Sequence, residues 1–264
     1  MRQRSALGYI VFLFVAFGGS WALWIPLAMS GHTVDPGQGW PSHLPGLLAP
    51  ALGAIAAVAV VDGQAGLRDL GVRSTRWRMS RLTTVILALC ILAAVVAVIV
   101  GAESGILFAY SGAPLWGAGV VLYVLIVNGL GEEAGWRGYL SDRLLGKHSP
   151  GFTAILVWVV WGLWHIPLFF LVQNFRDLGV GGTIGWAVGL LSGSVVLLWL
   201  YRLTGRSVLY VALWHTAFNF ATATSAAEGT MAAVVSTLVI IGSIPIVLRR
   251  DWWRRPAQAQ PVAR

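Results

Sequence analysis

FTAILVWVVWGLWHIPLFFLV, residues 152–172, runs for 21 positions without an Asp, Glu, Lys or Arg. An α-helix needs about 20 apolar residues to cross the hydrocarbon of a bilayer. Seven more apolar stretches of spanning length lie at approximately 7–29, 44–61, 82–101, 115–139, 182–201, 207–223 and 230–248. In lipid every backbone N–H and C=O must be satisfied within the protein, which leaves helices for runs of this length. The expected fold is all-α: a polytopic membrane protein of about eight transmembrane helices. Eight spans of about 20 residues leave no room for a separate soluble domain in 264 residues. Residues 1–264 therefore read as a single integral membrane domain.

Composition agrees. Hydrophobic residues make up 57% of the chain and charged residues 11%, against about 25% charged in soluble domains. An ordinary soluble enzyme, a disordered chain and a secreted disulfide scaffold are all excluded. The single cysteine, Cys90, makes no intrachain disulfide, supplies no thiolate cluster, and reads as a small hydrophobe inside an apolar run. A net charge of +8 would suggest nucleic acid in a soluble chain. Here basic loops facing anionic lipid account for it, and no nucleic-acid partner is expected.

The basic residues set the expected orientation. With the N-terminus inside, the cytoplasmic set is Arg2, Arg4, Arg68, Arg73, Arg76, Arg78, Arg81, Arg143, Lys147, Arg202, Arg206, Arg249, Arg250, Arg254, Arg255 and Arg264. Arg176 alone falls outside and Arg137 lies within a span, which predicts N-in and C-in. The first apolar run is longer than the 7 to 15 residues of a signal-peptide h-region, so it reads as an uncleaved anchor. Residues 66–81 read as a basic amphipathic stretch on the inner leaflet. Trp77, Trp252 and Trp253 are expected in an interfacial belt.

Charged and polar side chains within spans are costly and are functional candidates by default. Span four ends Gly131-Glu132-Glu133-Ala134-Gly135-Trp136-Arg137-Gly138. Glu133 and Arg137 are i,i+4 and can pair, while Glu132 points about 100° away. Span five holds Trp161 and His165 at i,i+4, with Pro167 expected to kink the helix. Span seven holds His215 and Asn219 at i,i+4 on one face. At about 1.5 Å per residue, Glu132 lies roughly 16 Å from Arg143, His215 roughly 14 Å from Arg206, and His165 roughly 22 Å from Pro150. These side chains share one slab near mid-bilayer, as a single polar cavity between spans four, five and seven would require.

A Glu and a His can deprotonate water and later protonate a leaving amine. A second His and an Asn can hold an oxyanion. Two His and a Glu are also the ligand set of a catalytic zinc, although no His-Glu-x-x-His is present. A proton-coupled transporter with Glu132 and the two histidines as a relay is a further alternative, as is a partner-binding membrane protein that keeps the cavity.

Glu132-Glu133…Arg137, then Trp161…His165, then His215…Asn219, on separate spans, resembles the type II CAAX prenyl endopeptidase family. That family includes bacterial bacteriocin-processing and self-immunity (Abi, CPBP) membrane proteins. The resemblance covers roughly residues 115–223. It implies an intramembrane endopeptidase in which Glu132 and His165 activate water and His215 and Asn219 hold the oxyanion. Glu133, Arg137 and Trp161 would support them. Trp161 stands where the family commonly has Phe. The implied cofactor is either none or a divalent metal such as zinc on Glu132, His165 and His215. The implied partners are the lipid bilayer and a membrane-associated substrate, CAAX-like or bacteriocin- or signal-peptide-like. The implied location is the plasma membrane of a bacterium.

Overall fold

A computed structural model of the chain describes residues 2–35, 40–77, 118–224 and 229–255. The third expected span (82–101), the start of the fourth, Cys90, Arg78, Arg81 and most of the polar tail lie outside the described residues. The regular elements among the described residues are all helices, with one isolated bridge between Val34 and Val172. The protein is an all-α, multi-pass membrane protein. Five described segments are long and apolar enough to span: Ser5–Met29, Leu44–Val61, Pro150–Leu171, Gly179–Leu203 and Thr230–Val247. Val208–Phe220 is apolar but shorter.

Helix α1 (Arg2–Met29) turns Leu7, Ile10 and Phe14 outward and buries Phe12, Ala16 and Trp24. Outward apolar side chains suit lipid, so exposure here carries no hydrophobic penalty. A 3-10 turn (Leu44–Leu48) leads into α2 (Ala49–Val61), which packs along α1. After Gly63, at φ 63°, α3 runs from Gly63 to Thr75.

The fourth span is not a regular helix. It comprises α4 (Ala118–Val124), a π segment (Leu125–Leu130), α5 (Gly131–Gly135), a second π segment (Trp136–Ser141) and α6 (Asp142–Leu145). The expected end at 139 is thus extended to 145. π segments are rare and often mark functional sites. The two glycines of α5 explain how this turn is placed. A Cβ on Gly131 would stand 2.7 Å from the Leu47 carbonyl oxygen, and one on Gly135 2.7 Å from the Pro50 carbonyl oxygen. The carboxylate-bearing turn is pressed against the start of α2 as only small residues allow.

Helix α7 (Pro150–Trp164) starts at Ser149, whose hydroxyl accepts the Phe152 amide, with Pro150 in the first turn. It ends at Trp164; after Pro167 the chain resumes as α8 (Leu168–Leu171) and α9 (Gln173–Arg176). The expected kink is therefore a break on the C-terminal side of His165. Helices α10 (Gly179–Leu203), α11 (Val208–Phe220, capped by Ser207) and α12 (Thr230–Val247) complete the bundle.

The loops sort to two ends. Asp62 pairs with Arg143, Arg206 donates to Asp142 at 2.7 Å, and Arg76 donates to the Gly205 carbonyl. The second, fourth and sixth loops of the expected topology thus meet. At the other end Val34 bridges Val172, and Arg176 donates to Thr33 at 3.1 Å. Two expectations are corrected in part. Arg73 in α3 is buried and donates to Asp69, Gly138 O and Tyr201 OH, so its helix is docked on protein as well as lying at the surface. Trp252 is buried in a small core with Ala154, Val195, Leu198 and Ile246 and so is turned to protein and not to lipid.

Candidate active site

Four of the seven residues singled out in the sequence meet around the indole of a fifth, Trp161. Trp161 projects from α7 and is 4% exposed. Its Nε1–H donates to Glu132 Oε2 at 2.8 Å. The Arg137 guanidinium carbon lies 4.5 Å from its ring centroid. The rings of His165 and His215 each lie 5.6 Å away, His215 nearly perpendicular at 87°. A ring at this point excludes water and fixes the spacing between α5 and the two histidines.

Glu133 forms the second hub. Its Oε1 accepts from Arg137 Nη1 at 2.9 Å and from His215 Nδ1 at 2.8 Å. Glu133 and Arg137 are fully buried. Burying a carboxylate out of water is costly unless it is paired and hydrogen-bonded, and this one has a cation and an imidazole on one oxygen. The expected i,i+4 pair is present, and the contact with His215 ties α5 to α11.

Both imidazoles are oriented through Nδ1. His165 Nδ1 lies 2.7 Å from the Trp161 carbonyl oxygen. A carbonyl only accepts, so His165 carries its proton on Nδ1 and presents the Nε2 lone pair. In His215, Nδ1–H faces the Glu133 carboxylate, and Nε2 is again the other face. This is the arrangement by which a fixed acceptor chooses the tautomer of a working histidine. His165 is boxed further by Trp164 at 5.0 Å, Trp186 at 5.4 Å and Phe175 at 6.1 Å.

Asn219 stands one turn along α11 and donates from Nδ2 to Asn128 Oδ1 at 2.6 Å. Its second amide hydrogen is left for another acceptor. Asn128, buried in the first π segment, is a site residue the sequence reading passed over. It was findable as a polar residue inside an apolar span. His43 was also missed. It is buried at the head of the 3-10 turn, and its carbonyl accepts from Trp24 Nε1 at 2.8 Å. Trp24 in turn packs on Trp164, which packs on His165.

A zinc held by Glu132, His165 and His215 was the alternative expectation. Among the described residues no three His, Cys, Asp or Glu side chains come together as a metal-ligand set. Glu132 is engaged by the Trp161 indole and the two histidines lie on its ring.

Residues 114–221 match the family described as type II CAAX prenyl endopeptidase Rce1-like. That segment contains Asn128 and all seven residues singled out in the sequence, from Glu132 to Asn219; His43 lies outside it. Over 103 residues the chain is 26% identical to a protein of Methanococcus maripaludis named CAAX prenyl protease 2. The matched stretch covers 38% of this chain and 38% of that relative.

Proposed function

We propose, from the match of residues 114–221 to the Rce1-like type II CAAX prenyl endopeptidase family, that this chain is an intramembrane endopeptidase working by glutamate-activated water. The observation that carries the reading is the convergence of Glu132, His165 and His215 on Trp161. Fold alone would not support an activity.

The chemistry needs a base, a positioned water, an oxyanion site and a proton donor for the leaving amine. Glu132 takes a proton from water while His165 Nε2 accepts the other O–H and orients it. The water oxygen attacks the scissile carbonyl carbon. The charge that develops on the carbonyl oxygen is met by Asn219 Nδ2–H and by His215 Nε2–H. Glu133 on Nδ1 stabilises the imidazolium that this donor requires, as a buried carboxylate does behind a working histidine. Glu132 then returns its proton to the amine nitrogen as the C–N bond breaks. The products are a free amine and a carboxylic acid, whose remaining proton passes to His165 Nε2 to leave a carboxylate, with no covalent enzyme intermediate.

Substrate follows from location. A site buried among spans receives a segment that is itself held at the membrane. A CAAX-like C-terminus or a signal- or bacteriocin-type peptide meets that condition. The test is a peptide library anchored in liposomes with the purified protein. The reading expects cleavage products that vanish with Glu132→Gln. Intact peptides with wild-type protein, across prenylated and unprenylated members, would refute it.

A further inference from the structure

His43 is a buried imidazole that the proposed reaction leaves unused. It is 8% exposed, and its Nδ1 is buried with no hydrogen-bond partner among the described residues. The turn it heads is tied to the end of α7 that carries His165. Ser20 Oγ donates to the Gly46 carbonyl at 2.7 Å and accepts from Trp164 Nε1 at 2.8 Å. The His43 carbonyl accepts from Trp24 Nε1, the Trp24 ring lies 4.8 Å from that of Trp164, and Trp164 lies 5.0 Å from His165. The same turn packs against the π segment of Asn128 and against Gly131. His43 itself precedes the span Leu44–Val61. Burial, and after it the nearness of His165, push its imidazole below the ordinary histidine range to about 4. The ring is therefore neutral, with one N–H donor and one lone pair.

A buried polar nitrogen left unpaired is costly. A peptide drawn between membrane helices brings N–H and C=O groups that need partners of their own. In the proposed reaction Glu132 and His165 serve the water, and Asn219 and His215 serve the scissile carbonyl oxygen. His43 is left for a neighbouring peptide group. We propose, resting on the endopeptidase reading, that His43 is a substrate-binding residue whose Nδ1 hydrogen-bonds a main-chain amide of the substrate next to the scissile bond, beside His165. The contact fixes the register of the substrate backbone without selecting a side chain. It comes from the loop between the first two spans, outside residues 114–221.

The test uses full-length protein in detergent and the library peptide that the Glu132→Gln protein binds most tightly. His43→Leu removes the imidazole and keeps apolar bulk, while His43→Asn keeps a polar group where Nδ1 stands. In the Glu132→Gln background His43→Leu should weaken peptide binding about tenfold, the worth of one hydrogen bond, and His43→Asn should restore most of it. With Glu132 intact, His43→Leu should raise KM about tenfold and leave kcat nearly unchanged. The unfolding midpoint without peptide should not fall in His43→Leu, because an unpaired polar atom gives way to an apolar group; a merely structural role predicts a fall. Replacing the peptide's amide next to the scissile bond by an ester should weaken binding to the Glu132→Gln protein and add nothing once His43→Leu is present. Unchanged binding in His43→Leu, a lowered midpoint, a loss confined to kcat, or an additive ester effect would overturn the proposal. Binding weakened by His43→Leu in a protein that cleaves no peptide would uphold the contact and refute the endopeptidase reading instead.

Discussion

The indole nitrogen of Trp161 donates to the Glu132 carboxylate across a sequence separation of 29 and between two helices. Two parts of the sequence that look independent are thus one unit. A tryptophan can hold Glu132 in place and also supply a face for Arg137, which a phenylalanine shares only in the second respect.

Trp161→Phe should therefore keep the fold and lower turnover by about tenfold or less, the worth of one ordinary hydrogen bond. Trp161→Ala should cost far more, because it opens the space shared by His165, His215 and Arg137. Turnover rates of the two variants check this, and equal losses would contradict the hydrogen-bond role.

Glu132→Gln should abolish turnover with near-normal thermal stability, since the shape and the contact from Trp161 are retained. Glu133→Gln should instead destabilise the protein by about 3 to 5 kcal/mol, because Arg137 is left as a buried charge without its partner. Midpoints of unfolding beside rates separate the two. A Glu133→Gln protein as stable as the wild type would mean that the buried pair is not what holds α5.

Asn219→Ala should lower turnover about 10²- to 10³-fold as an oxyanion donor is lost. Asn128→Ala should cost less and should add little once Asn219 is gone, because it acts through Asn219. A double-mutant cycle on turnover reads the coupling, and full additivity would place the two on separate tasks.

Treatment with a strong chelator should leave turnover unchanged. Stoichiometric zinc in active protein, lost together with activity in His215→Ala, would instead favour a metal on Glu132, His165 and His215.

Reporter fusions after Lys147, Arg206 and Arg255 should read cytoplasmic, and fusions near Asp35 and Asp177 external. The same holds for Arg81 inside, and for Glu103 and Glu228 outside, three positions beyond the described residues. Two or more reversed sites would break the eight-span topology.

Much of the fold was legible because a bilayer imposes length and charge rules on every span. The expected stretch 44–61 coincides with Leu44–Val61, and 230–248 with Thr230–Val247 to within a residue. The i,i+4 pairing of Glu133 with Arg137 was readable for the same reason, being local to one helical turn. What was not legible is tertiary or irregular. Nothing in the spacing of Glu133 and His215 announces that they meet, since 82 positions separate them. Nor does residue type distinguish the indole of Trp161, turned to a carboxylate, from that of Trp252, packed into a small core. The π segments were invisible because periodicity was read at 3.6 residues per turn.

Those two π segments enclose α5 on both sides. Each lets the chain absorb one more residue than a regular helix would over the same turn. Removing one residue from 125–130 would restore ordinary pitch and swing Asn128, or whichever side yields, by about 100° against Glu132. The site's angular settings are therefore adjustable only in whole-residue steps, like teeth on a ratchet. Point substitutions can retune its chemistry, but single-residue insertions and deletions are the changes that re-aim it.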